Sequence, residues 1–511
     1  MVKNRLGIFS LTSIGVGAII GSGIFAIPAA MGAVAGPGLI LGIFLSGIIA
    51  IFLAMPYAEL GAAFPIEGGP YAFPRLAMGD LTGFLMGWGY FIYLFVGTAG
   101  IIQIFIIYLG YYFPGLADGG VLTAWGIFWA VVFVWIFTII NIFGVQWGSL
   151  YSVITTIGKL IPLFLFAFIG FAYIKTGNFE PFLPYGFVGV TISITLFFWS
   201  YTGFEAIVVP TTEIKKPHVT IPWSMVLTLL ITIVAYMVIG FSFVGMIDWK
   251  NLGMSFHDWH AVKNLDSPLA DISKALGLGF LATIATIGAI IATGGSGGSW
   301  VLIQGRMPHA MAKDRLFWKL MGKENNKFQT PMASLIFSSL LTTIVLIALP
   351  SFPSVALIAS ITAVLPYAAA ALSIPILRHN EKRTQRPFRL PWQFFLTAIA
   401  FVLSTFLIYW ASWPWTVVGS VLLLTGYPAF LLVRKKHADW VKSLWIPTYL
   451  LGIVVMSILG DPHIEFNNFT PWHPLGIFVM PYDLIILTLF SLLIYIWGYK
   501  VNIRKPALNK K

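Results

Sequence analysis

Long apolar runs separated by short polar connections fill nearly the whole chain, and stretches such as 101–112 and 340–349 do not alternate between apolar and polar positions. A helix needs about 20 apolar residues to cross about 30 Å of hydrocarbon, whereas a transmembrane barrel strand alternates over about ten. With Gly, Pro and charge as punctuation, the pattern predicts helical spans near 8–31, 38–62, 81–112, 123–143 and 150–173. A second group is predicted near 187–211, 222–247, 276–305, 331–350 and 353–377, and four more near 392–411, 414–433, 443–460 and 481–499. The total is fourteen, the run at 443–460 being short and holding Pro447. The expected fold is an all-α integral membrane protein.

Composition agrees. Of 511 residues, 58% are hydrophobic and 9% charged, whereas a soluble domain is about a quarter charged, which excludes a soluble enzyme. The net charge of +12 suggests a nucleic-acid partner only until the basic residues are placed. Lys175, Lys250, Lys263 and Lys274 fall on one side of the predicted spans, Lys159 lies inside a span, and the other 25 of 30 fall on the opposite side. Basic residues concentrate in cytoplasmic loops, so both termini are expected in the cytoplasm of a cell-membrane protein, with no nucleic-acid role and with membrane lipids as neighbours. The first apolar run continues past Ala30 at full spanning length, so the first helix itself is expected to direct insertion rather than a cleaved leader. With no cysteine there is no disulfide or thiol chemistry.

Two spans contain weak helical stretches. In the first, Gly15, Gly17, Gly21 and Gly23 surround Ser22, with Phe25 and Pro28 following; in the sixth, Trp199-Ser200-Tyr201-Thr202-Gly203-Phe204-Glu205 sets a glycine beside an intramembrane carboxylate. Spans one and six are five apart, the correspondence expected of two inverted five-span repeats with breaks at equivalent places. Broken helices free N–H groups for a carboxylate and C=O groups for an ammonium, so one cavity between them can hold the zwitterionic end of an amino acid. Close packing through small residues is the competing explanation of glycines in membrane helices.

Gly21-Ser22-Gly23-Ile24-Phe25, the run 197–205, and Glu213-Ile214-Lys215-Lys216-Pro217 with Ile221-Pro222 resemble the signatures of the amino acid/polyamine/organocation (APC) superfamily. Gly68-Gly69-Pro70-Tyr71 through Arg75, the run 83–88, and Arg306 through Ala310-Met311-Ala312-Lys313-Asp314 extend the likeness over about residues 1–390. The resemblance implies a five-plus-five inverted-repeat (LeuT-like) core with broken helices 1 and 6 and alternating access. Residues 1–390 are then the core, and the four spans in 391–511 are peripheral.

It also implies site residues. Ile20, Gly21, Ser22, Gly23, Phe25, Tyr201, Thr202 and Gly203 belong to the breaks that bind substrate. Trp199 and Trp300 align with aromatic substrate contacts of the superfamily's arginine/agmatine exchanger, and Glu205 with its pH-sensitive glutamate. Thr98 stands where that exchanger has asparagine, a departure which argues against arginine/agmatine exchange. Tyr367 is a further pocket candidate. Lys159, too deep in the fifth span to snorkel, corresponds to a lysine of proton-coupled relatives, and is a candidate for gaining and losing a proton or for replacing a coupling cation; holding broken-helix carbonyls is its structural alternative. Glu205 equally suits proton binding or acceptance of freed N–H groups, and Glu59 reads as an interfacial residue.

No cofactor is expected, and no paired intramembrane carboxylates or Gly-rich phosphate loop point to an enzyme. His257 and His260 make a weak metal spacing in a loop. The Asn468-Phe469-Thr470 triplet marks accessibility at most. The expectation is a permease taking up amino acids or related amines with protons, ion-independent exchange being the alternative and a channel or receptor the different class.

Overall fold

The computed structural model describes residues 6–64, 66, 68–143, 149–208, 214–325, 327–433, 439–460 and 474–503. The Asn468-Phe469-Thr470 triplet, Glu213 and the basic run at 434–436 lie outside the described residues. Every predicted span is helical, with ends moved by a few residues. The first is α1 (Ile8–Ile19) and α2 (Gly23–Ala35), and the second is α3 (Leu39–Ala63). A short α4 (Gly69–Met78) precedes the third span, α5 (Asp80–Gly110). A hairpin of β1 (Ala117–Asp118) and β2 (Val121–Leu122) then leads into α6 (Ala124–Ile142) and α7 (Ser149–Phe171).

The sixth span is α8 (Gly186–Tyr201), continued after a break by a 3-10 turn, Phe204–Val208, and the seventh is α9 (Pro217–Met246). The connection beyond it holds α10 (Pro268–Ala275), and α11 (Gly279–Lys313), α12 (Met332–Ala348) and α13 (Phe352–Asn380) complete ten spans. The last four are α14 (Gln393–Tyr409), α15 (Trp415–Leu424) with α16 (Gly426–Val433), α17 (Trp440–Ser443) with α18 (Trp445–Leu459), and α19 (Tyr482–Asn502). The short run with Pro447 is long enough to cross, because α17 and α18 join into a mainly apolar stretch of 20 residues, Trp440–Leu459.

Packing partners repeat with a period of five spans. α2 lies on α8, α3 on α9, α5 on α11 and α6 on α12, each pair being one span and its fifth successor. Other contacts come in matched pairs: α1 with α9 as α8 with α3, α5 with α13 as α11 with α7, and α5 with α12 as α11 with α6. Five crossings reverse the direction of travel, so the two halves are related by an inversion in the membrane.

The centre of this arrangement is α5 and α13, buried along nearly their whole length, while α6, α9 and α19 turn Phe128, Ile136, Val234, Leu489 and Leu493 outward. An apolar exterior around a core that holds hydroxyls and amides such as Ser46, Thr98, Gln103 and Ser360 is stable only where hydrocarbon is the surrounding solvent. The C-terminal helices pack beside α13, with hydroxyl contacts between them: Thr397 with Tyr495 at 2.6 Å, Thr405 with Tyr449 at 3.0 Å, and Tyr409 donating to Asp483 at 2.9 Å.

Candidate functional site

The glycine clusters interrupt both helices. Ile20 is extended at φ −68°, ψ 98°, its N–H still closing the last turn of α1 on Val16 O, and α2 restarts at Gly23. In the sixth span Thr202 is extended, and Gly203 takes φ +107°, a left-handed conformation that any side chain would strain. A β-carbon at Gly203 would also press on Ala18 O at 3.2 Å, and one at Gly23 would collide with Ser200 Oγ. The two breaks therefore meet backbone to backbone, and glycine is what permits the approach.

The carbonyls freed at the end of α1 have buried partners. Lys159 Nζ, from α7, donates to Gly17 O at 2.5 Å, placing an ammonium at the negative end of the α1 dipole. Tyr236, from α9, places its hydroxyl 3.1 Å from both Ile19 O and Ser200 O, so one proton is shared between carbonyls of the two breaks. The candidate set from sequence omits Tyr236. Its signal was available, since it is the single tyrosine of α9 and a buried phenol needs a polar partner.

Glu205 begins the short turn after the second break. Its Oε2 accepts Gly203 N–H at 3.2 Å and its Oε1 accepts Tyr90 O–H at 2.9 Å. Around it the rings of Tyr90 and Tyr93 lie 5.2 Å apart, and Tyr367 packs 5.7 Å from Tyr57 and 5.0 Å from Phe204. On the other side of Tyr93 stand the two indoles. Trp199 and Trp300 are 5.7 Å apart between centroids, with Tyr93 at 6.0 and 5.4 Å from them. Gly97 makes the room: a β-carbon there would fall 2.6 Å from Trp199 and 2.8 Å from Trp300. Tyr93 donates to Thr202 Oγ1 at 3.0 Å, and Thr202 donates to Trp199 O at 2.6 Å, tying the aromatic box to the break.

Ile20, Gly21, Ser22, Gly23, Trp199, Thr202, Gly203, Trp300, Lys159 and Glu205 thus come together. Three candidates turn elsewhere. Tyr201 reaches Ile43 O of α3 at 3.1 Å, Thr98 donates to Leu94 O within α5, and the Phe25 ring packs edge-on against Tyr108, whose hydroxyl holds Phe25 O at 2.8 Å. His257 meets Gly177 O and the Phe256 ring, whereas His260 lies on Tyr185, so the two imidazoles face different partners.

On one face of the molecule, two of the sequence motifs meet. Arg75 of α4 donates to Asp314 at 2.7 Å, where α11 ends, and to Asp80 at 2.9 Å; Tyr71 joins Asp314 at 2.9 Å. Glu59, near the end of α3, is covered by protein. It is 2% exposed, paired with Arg378 at 2.5 and 2.8 Å, and accepts Leu390 N–H at 2.7 Å, because the chain after α13 folds back beneath α3. On the opposite face the Lys175 ammonium, 2.7 Å away, holds the Asp248 carboxyl below its ordinary range.

The amino acid permease family profile matches residues 6–455. The chain is 28% identical to the aspartate-proton symporter of Bacillus subtilis over 99% of its length and 98% of that protein. It is 25% identical to the glutamate/serine transporter AimA of the same organism over 99% and 96%, and 28% identical to its branched-chain amino acid permease BcaP over 86% and 94%. Breaks, packing pattern and profile agree: the chain belongs to the amino acid permease family, and is a multi-pass membrane transporter of amino acids rather than an enzyme.

Proposed function

We propose that this permease takes up its amino acid together with a proton, by alternating access around the paired breaks. The α-carboxylate is held by the N–H groups that open α2 at Gly21, Ser22 and Gly23, the positive end of that helix dipole. The α-ammonium is held by carbonyls at the end of α8 and α1. Trp199, Trp300 and Tyr93 cover the side chain or the stem of a related amine, with Thr202 setting the height of Trp199, Thr98 and Phe25 bordering the path, and Tyr201 bracing α8 against α3.

Lys159 is the coupling residue. As an ammonium it holds Gly17 O and so fixes α1; as an amine it loses most of that attraction, and α1 is released to move. The observation carrying this reading is the 2.5 Å contact from Lys159 Nζ to Gly17 O, one turn from the substrate's N–H donors. A relative that pairs aspartate with protons supports it. Glu205, held by Tyr90 and Gly203, is the second proton-binding candidate. Residues 1–390 form the moving core and 391–511 its lipid-facing buttress, in a cell membrane with both termini cytoplasmic.

The test is uptake by purified protein in liposomes with an imposed pH gradient. Lys159→Ala is expected to abolish gradient-driven uptake while substrate exchange across the bilayer survives. Unchanged gradient-driven uptake would reject the coupling role.

A further inference from the structure

Two cavities on the face that holds Lys175 and Asp248, of about 220 and 540 Å³, share Asp271 as a wall. The smaller lies between the end of α5, the loop leading to β1, and α10; Asp266, Ser267 and Asp271 line it with Tyr111, Ile107 and Pro114. Asp266 accepts Gly120 N–H at 2.8 Å and Asp271 accepts Ser267 N–H at 2.8 Å, so one oxygen of each carboxylate is committed to the backbone. Ser267 precedes α10, where a hydroxyl ordinarily accepts an N–H of the first turn, yet it is 2% exposed and its Oγ has no partner among the described residues. A buried hydroxyl without a partner is unfavourable, and this one borders a space large enough for several waters or a small organic molecule.

The neighbouring cavity shows what suits the site. Lys274, on its wall, holds its ammonium 5.9 Å from the centre of the Tyr111 ring. The protein's own primary alkylammonium already lies against the aromatic side of this space. We infer that the cavity bounded by Asp266, Ser267, Asp271 and Tyr111 binds a primary ammonium group carried on a short aliphatic stem. The carboxylates and the hydroxyl serve the charge, while Tyr111, Ile107 and Pro114 cover the stem, a surface that a bare metal ion would leave unused. Burial, with Asp266 adding and the Ser267 N–H and Lys274 opposing, raises the Asp271 carboxyl to about 6, so near neutral pH it is ionised. The site is also close to the moving parts: Tyr108, one turn before Tyr111, holds Phe25 O of α2.

This inference does not depend on the coupling mechanism, because binding is read without flux. The purified full-length protein is titrated calorimetrically near neutral pH with n-propylammonium chloride, and separately with L-alanine, at ionic strength fixed by sodium chloride. Asp271→Asn and Asp266→Asn keep an acceptor for the backbone N–H groups and remove only charge; each is expected to weaken propylammonium binding about tenfold. Ser267→Ala is expected to weaken it several-fold, whereas deletion of a hydroxyl that merely lacks a partner would leave the affinity unchanged. A second L-alanine binding event lost in Asp271→Asn identifies the cargo's own α-ammonium as occupant; propylammonium binding there alone identifies free amines. Absence of propylammonium binding to the wild type, equal affinity in all three variants, or equal displacement by added sodium overturns the proposal.

Discussion

At the scale of single residues, a glycine and a phenol hold the breaks together. Gly203→Ala forces a side chain into φ +107° and against Ala18 O, a strain of about 1–3 kcal/mol. Thermal unfolding in detergent should therefore shift down, with uptake lost out of proportion to the amount of folded protein. Tyr236→Phe leaves carbonyls of Ile19 and Ser200 short of a donor, at about 1–3 kcal/mol, and is expected to raise KM in uptake assays while the protein still folds. Outside the membrane, Asp271 supplies a pH prediction. Its carboxyl is raised from 3.8 to about 6, so ionisation above that pH disfavours the folded state by about 3 kcal/mol. This contribution lowers stability as pH rises through about 6 and restores it toward 4. In thermal melts, Asp271→Asn should flatten the pH dependence between those limits.

At the scale of elements, the breaks were legible because glycine acts through its own backbone, and a local cluster in an apolar run has local consequences. Which side chains face those breaks was less legible. Tyr201 adjoins the second break along the chain and Thr98 was picked out by resemblance alone, but each helical residue turns the next side chain through about 100°, and theirs point to Ile43 O and to Leu94 O. Tyr236 and Tyr90 matter because distant spans bring them alongside, which no spacing within one span records. The partners of Glu59 were hidden for a similar reason: its place near the end of α3 was clear, but the chain after α13 that covers it was not. Arg75 and Asp314, from two of the motif segments, pair across α4 and α11, a contact between distant spans that neither motif records alone. We predict that this pair latches the path to the breaks from its face. Because the chain has no cysteine, a single cysteine replacing Ser200 reports access to the breaks without further substitution. Adding Asp314→Asn should raise its maleimide labelling from that face several-fold; an unchanged rate would show that the pair does not control that path.

At the scale of the whole molecule, the inverted packing of spans one to five on six to ten gives the protein two related halves whose broken helices cross at one place. If the fourteen spans all cross, both termini share one face, and the distribution of basic residues along the sequence predicts that this face is cytoplasmic and that terminal tags are digested by protease only in permeabilised cells. The central claim is that peptide groups at the crossing grip both charges of a zwitterion. Competition against labelled substrate in liposomes tests it directly, using the amino acid identified from an uptake panel, its methyl ester and its deaminated acid. The intact amino acid should compete, and each analogue lacking one charge should be weaker by at least about a hundredfold. Equal competition by either analogue would contradict the two-ended grip and place substrate recognition elsewhere.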